Sequence, residues 1–190
     1  YMLPTAKAAE LSTPTQKARA LGMYMADYNV LKGMGQPTAE VEAVIAKLAT
    51  DLNISFVLDI LKEQAPKDAT KEQVQAFLQS QEDKIIEKMA AENKIDVEVE
   101  MLGAASAEYA CLIANPTLVV KGDATSAGLS ANMEKRVSML EEVVADLANY
   151  YPDLKQLGET ISPLKTKVAT IQDARAANAD ITAIRDSLLK

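Results

Sequence analysis

Apolar residues recur every three or four positions along most of this chain, which is the period of an amphipathic helix. The clearest run steps from Leu129 to Tyr151. Pro152 interrupts it, and the same period resumes from Leu154 to Ile171. Because Pro163 lies inside that second run, it either kinks a helix or begins a new one that Ser162 caps.

Helix start and stop signals divide the remaining sequence into further helices. T-x-x-Q capping boxes begin two long ones, at Thr13 and at Thr70. The first helix should run from Pro14 to Lys32, and residues 122–128 are small and polar, which predicts a loop. The other predicted helices are one capped by Thr38, a short one from Ser55 to Leu61, and a last one capped by Asp180.

Residues 95–101, with the sequence IDVEVEM, alternate apolar and acidic side chains, as an exposed strand does. No comparable strand is available to pair with them, and an isolated strand is unstable. The next residues, LGAASAEYACLIA, are rich in alanine, so we interpret residues 94–114 as one helix that Asn115 and Pro116 end. The sequence therefore predicts an all-α fold, a single domain over residues 1–190 with seven to eight helices and short connections.

Charge and composition narrow the functions that such a bundle could have. The net charge is −7, whereas nucleic acids and anionic lipids select basic surfaces, so we expect no nucleic-acid partner. No apolar run is long enough to span a bilayer. Residues after Tyr1 lack the pattern of a signal peptide, so in an exported protein this sequence would begin after the processed segment.

The chain has no histidine and one cysteine, Cys111. Serine and cysteine nucleophiles that depend on histidine are therefore excluded, together with histidine-ligated zinc and iron sites. A single cysteine also excludes a disulfide within the chain. We expect no catalytic residue, no metal site and no cofactor.

The candidate site residues lie in the first helix, where residues 20–31 contain a single charge, Asp27. Tyr24 and Tyr28 flank it, and apolar residues cover both faces of that helix. Asp27 is therefore either a structural carboxylate held by a hydrogen bond, or a ligand anchor in a pocket with the two tyrosines. Gly22 lies in the same helix, where we expect a neighbouring helix to approach closely.

Several blocks resemble one family: KARALGMYMADYNVL, LATDLNI, ANYYPDLKQLGETISPL and ITAIRDSLL are similar to uncharacterised helical lipoproteins exported by Bacteroidetes-type gut bacteria. The opening helix of that family is roughly A-x-x-L-G-x-Y-x-x-D-x-x-Y, which Tyr24 and Asp27 match. Tyr28 stands where the family has an apolar residue, and Val30 or Leu31 replaces its later tyrosine. The resemblance implies an exported, lipid-anchored helical domain, in the periplasm or at the outer membrane, and no known activity.

The preferred interpretation is a non-enzymatic exported domain that acts as a binding or structural module at the cell envelope. Its partner would be a protein or a small molecule, and it would meet a membrane only through a lipid anchor upstream of Tyr1. One alternative is a small-molecule binder or enzyme with a pocket around Asp27 and Tyr24. Another alternative is a cytoplasmic helical adaptor for protein interactions.

Overall fold

The computed structural model describes residues 2–63, 66–115 and 123–190, with the backbone alone at residues 33, 71, 74, 75, 78, 79, 82 and 123–132. Within these ranges the chain forms ten α-helices and no strand, which confirms the all-α prediction. Eight of the helices have seven residues or more. The helices are α1 Pro14–Gly33, α2 Ala39–Asp51, α3 Phe56–Lys62, α4 Lys71–Ala91, α5 Ile95–Ala114, α6 Asp123–Leu147, α7 Pro152–Ile161, α8 Leu164–Lys167, α9 Ile171–Ala176 and α10 Asn178–Ser187.

The local start signals in the sequence set the beginnings of the two long helices. Thr13 accepts the backbone N–H of Gln16, and the Gln16 side chain accepts the backbone N–H of Thr13. Thr70 and Gln73 make the same reciprocal pair at α4. Both predicted capping boxes are therefore confirmed. Residues 95–101 form the start of the long helix α5, which confirms the prediction that they are helical rather than an exposed strand.

The loop predicted at residues 122–128 is wrong. Helix α6 already begins at Asp123, and it ends at Leu147 rather than continuing to Tyr151. Residue 122 and the break predicted at Pro116 lie outside the described residues.

Two predictions near the C-terminus also need correction. The run from Leu154 to Ile171 forms the separate helices α7, α8 and α9 rather than one kinked helix. Pro163 is the N-cap residue of α8, and not its first helical residue after a Ser162 cap. Thr170 begins α9 by accepting the backbone N–H of Asp173. Asp180 lies within the first turn of α10 rather than at its cap.

Helix α5 forms the centre of the bundle, and among the described residues its most extensive packing is against α1. Gly22 makes this approach possible, because a Cβ built there would lie 2.0 Å from the carbonyl oxygen of Met101. This confirms the packing role predicted for Gly22. Contacts pair Arg19 with Glu100 and Gly22 with Met101, so the two helices run parallel.

The residues before α1 form an element that the sequence did not predict. We call residues 2–11 the N-terminal strap; it contains a short 3-10 helix, Thr5–Glu10, and packs against α2. Leu3, Ala8 and Leu11 of the strap are buried in the main core. Among the helices that the structure describes, none is both long enough and apolar enough to cross a membrane.

Candidate functional site

Asp27 lies at the centre of the candidate site, with a side chain that is 0% exposed. The backbone N–H of Leu3 donates a hydrogen bond of 3.0 Å to its Oδ2 atom. The burial and the hydrogen bond that we expected for this lone carboxylate are both present. The donor is a backbone amide of the strap, just before its 3-10 helix.

The two tyrosines of the prediction differ in their surroundings. Tyr24 is fully buried, and its hydroxyl donates a hydrogen bond of 2.8 Å to the carbonyl oxygen of Pro4 in the strap. Burial raises the pKa of Tyr24 to about 12, so its hydroxyl stays protonated as a donor. Tyr28 is nearly buried, and its ring lies 5.3 Å from Nζ of Lys32. Tyr24 and Asp27 therefore hold the strap from one face of α1.

A second carboxylic acid, Glu108 of α5, meets Asp27 in the core. Glu108 is also 0% exposed, and its carboxyl group faces that of Asp27, whose charge acts on it. Nη1 of Arg185, in α10, lies 3.5 Å from Oε2 of Glu108. Apart from the contact between the two carboxyl groups, no donor in the described part of the chain hydrogen-bonds Asp27 Oδ1 or either Glu108 oxygen. We call Asp27 and Glu108 the acid pair.

The positive charge near the acid pair is too small to neutralise two carboxylates. Burial, and then the charge of Asp27, raise the pKa of Glu108 to about 8. Burial also raises the pKa of Asp27, to about 6, against the opposing effect of the Leu3 amide. Because two carboxylates in contact cannot both ionise cheaply in a buried site, the pair holds one proton at neutral pH.

Arg185 compensates the acid pair only in part. Its Nε and Nη2 atoms lie 2.9 and 2.8 Å from Oδ1 of Asp186, so its charge is shared with a half-exposed carboxylate. Cys111 lies one helical turn beyond Glu108 on α5, and burial raises the pKa of its thiol to about 12. The thiol is thus protonated and buried, which is the environment of an unreactive cysteine.

A buried ion pair joins the same two helices, α1 and α5, at a second position along their length. Nε and Nη2 of Arg19 bind the two carboxylate oxygens of Glu100 at 2.6 and 3.2 Å. Nη1 of Arg19 also donates to the carbonyl oxygen of Leu188, the residue that caps the C-terminus of α10. Arg19 therefore satisfies Glu100 in the two-point geometry that arginine and carboxylate favour.

Sequence reasoning found Asp27 and Tyr24 but missed Glu108, Arg185, Arg19 and Glu100. A usable signal for Glu108 was present, since it is the one charged residue between positions 101 and 114, as Asp27 is between 20 and 31. Arg19 and Glu100 gave no such signal, because each lies near other polar residues at the edge of an apolar stretch.

Other features of the described residues offer different chemistry. They contain no group of three or more acidic or cysteine side chains placed to hold a metal ion. An open cleft of about 230 Å³ lies where α1, α5 and the start of α7 meet. Asp96, Glu100, Tyr150, Tyr151 and Asp153 line part of it, and neither Asp27 nor Tyr24 does.

Comparison of the chain with protein-family models, with curated proteins and with solved structures finds no match. The resemblance to exported lipoproteins therefore stays an expectation, and the functional argument depends on the geometry above.

Proposed function

We propose that this chain is a non-enzymatic helical domain that serves as a binding or structural module at a cell envelope. One observation carries the non-enzymatic part: the acid pair is sealed in the core, and Asp27 uses its carboxylate to hold the chain's own Leu3 amide. The residues that most resembled a catalytic or ligand-binding site thus form hydrogen bonds with the protein's own backbone.

Accessibility explains why this geometry favours structure over catalysis. A general acid or base must come within hydrogen-bond distance of the proton that it transfers, directly or through one water. Asp27, Glu108 and Tyr24 are each 0% exposed, so no substrate reaches them in this conformation. Their measurable contribution should be to folding.

The envelope location depends on the resemblance, and cell fractionation tests it. The full-length gene is expressed in its own host, and the membrane and soluble fractions are probed after labelling with an alkyne fatty acid. The proposal expects a lipid-labelled, membrane-associated protein whose gene encodes a signal sequence ending in a lipid-accepting cysteine upstream of Tyr1. An unlabelled protein in the cytosol would contradict it and would favour the helical adaptor.

The open cleft favours a second candidate function, the binding of a small molecule. Tyr150 is 79% exposed and lines the cleft with Asp153, and Asp96 supplies further negative charge. Carboxylates next to an aromatic ring suit a small organic cation. Benzylamine, with benzoate as a control of similar shape and opposite charge, tests this by nuclear magnetic resonance titration. Shifts at Tyr150 and Tyr151 with the amine alone, absent in Tyr150→Ala, would support binding, and equal shifts with both compounds would exclude a charge-selective cleft.

A further inference from the structure

The strap covers the acid pair and is held by few contacts. Two hydrogen bonds attach its backbone, from the Leu3 amide to Asp27 and from the Tyr24 hydroxyl to the Pro4 carbonyl. Leu3, Ala8 and Leu11 add buried apolar surface, while most of the other strap side chains reach solvent. Segments with few buried contacts open at a lower free energy than core helices do.

The charges around the acid pair decide whether the strap can stay closed. Helix α1 contributes Asp27 and Tyr24, and α5 contributes Glu108 and Cys111. Arg185 of α10 is held in common with Asp186, and Glu10 of the strap adds a more distant negative charge. With both carboxyls ionised, two buried negative charges would face one shared guanidinium.

We propose that the strap is a proton-controlled closure: it stays docked while the acid pair holds one proton between its two carboxyl groups, and it opens when both are ionised. The proton supplies the missing donor between the pair, so that one carboxyl donates and the other accepts. Losing it places two acceptors in contact under a segment that excludes water. Opening the strap lets water solvate both charges.

The direction of the pH dependence follows from linkage. An opened strap exposes the acid pair to water, where a carboxylic acid ionises near its ordinary value, which is about 4.5 for glutamate. The closed state keeps its proton up to about pH 8 at Glu108. Between these values the closed state binds a proton that the open state has released, so rising pH favours opening. The opening equilibrium should rise by at most about tenfold for each pH unit.

Amide hydrogen exchange followed by mass spectrometry tests the proposal on the intact chain. Protection factors for residues 2–11, corrected for the intrinsic pH dependence of exchange, are measured at pH 6, 7 and 8. We expect the protection of the strap to fall by about tenfold or more between pH 6 and pH 8. Peptides from α6 and α7, which do not contact the strap closely, should stay protected over the same range.

Two variants separate proton control from simple attachment. Glu108→Gln keeps the shape and supplies a permanent donor to Asp27, so strap protection should become independent of pH from 6 to 8. Tyr24→Phe removes the hydrogen bond to Pro4, so it should lower strap protection at every pH and leave the pH dependence unchanged.

The proposal is overturned if strap protection in the wild-type chain does not change with pH, or if Glu108→Gln responds as wild type does. Loss of protection in α6 and α7 together with the strap would also overturn it, because the acid pair would then control the whole fold rather than the strap. A pH-dependent strap in wild type and in Tyr24→Phe, and a constant one in Glu108→Gln, would support it.

Discussion

Helices α1 and α5 are joined by two buried polar contacts that differ in one charge. Arg19 meets Glu100, and eight residues further along both helices Asp27 meets Glu108. Since the helices run parallel, the two contacts lie about 12 Å apart at a rise of about 1.5 Å per residue. Both contacts also reach α10, through Leu188 in one case and Arg185 in the other.

The comparison shows that a buried glutamate facing an acid, rather than a cation, requires other groups to neutralise it. Arg19 and Glu100 neutralise each other and satisfy both carboxylate oxygens by hydrogen bonds. Asp27 and Glu108 present two acids, so the site needs a proton, part of Arg185 and the Leu3 amide. Stability should therefore depend more on the protonation of the second contact than on that of the first.

The largest effect should come from removing the cation of the balanced contact. Arg19→Met leaves Glu100 buried without a partner, which should lower the free energy of unfolding by about 3–5 kcal/mol. Urea denaturation measures the change. Lys17→Met is the matched control on the same helix: it removes a partly exposed ion pair with Asp51, which water and salt screen, so its loss should change stability much less. Equal losses in the two variants would contradict the account.

The acid pair should make the protein less stable as pH rises. Glu108 has a raised pKa when folded, so its stabilising effect is complete below about pH 4.5 and is lost progressively up to about pH 8. The slope should reach about 1.4 kcal/mol per pH unit within that range. The pKa values of Glu100 and Asp27 are raised as well. Comparing urea denaturation of wild type and Glu108→Gln between pH 5.5 and pH 8.5 therefore isolates the effect of Glu108. Parallel stability curves for the two proteins would rule the assignment out.

Forcing α1 away from α5 should weaken both contacts together. In Gly22→Ala the new methyl group would overlap the Met101 carbonyl, and overpacking of this kind costs about 1–3 kcal/mol. Gly158→Ala is the control, since its methyl would meet a side-chain carbon of Val144 that can shift. Thermal denaturation should therefore show a clear loss for Gly22→Ala and a smaller change for Gly158→Ala. The opposite order would show that the helices do not meet at Gly22.

The smallest effects should separate the two roles of Asp27. Asp27→Ala leaves the Leu3 amide without an acceptor, at a cost of about 1–3 kcal/mol. Asp27→Asn should cost less, because its oxygen still accepts from Leu3 and its amide group can donate to Glu108. Melting temperatures at pH 6 test the order. An Asp27→Ala variant as stable as wild type would exclude a structural role for this carboxylate.

The sequence predicted features that depend on neighbouring residues in the chain. Thr13 with Gln16 and Thr70 with Gln73 each begin a helix through contacts three residues apart. The burial of Asp27 also followed from its own helix, whose faces are both apolar. The sequence did not reveal that α1 pairs with α5, since Asp27 and Glu108 are far apart in sequence, and so the acid pair was missed. The strap was missed for a different reason, because its 3-10 helix is too short to show a period.

Carboxyl carbon chemical shifts provide the most direct test of the acid pair. The protein is labelled with ¹³C in its glutamate and aspartate side chains, and each resonance is followed from pH 4 to pH 10, with Glu108→Gln and Asp27→Asn assigning the two signals. The account predicts one carboxyl resonance that titrates near pH 8 in the folded protein and that is absent from the spectrum of Glu108→Gln. If every carboxyl group of the folded wild-type protein were ionised below pH 6, the acid pair would hold no proton at neutral pH, and the account of the strap would fail with it.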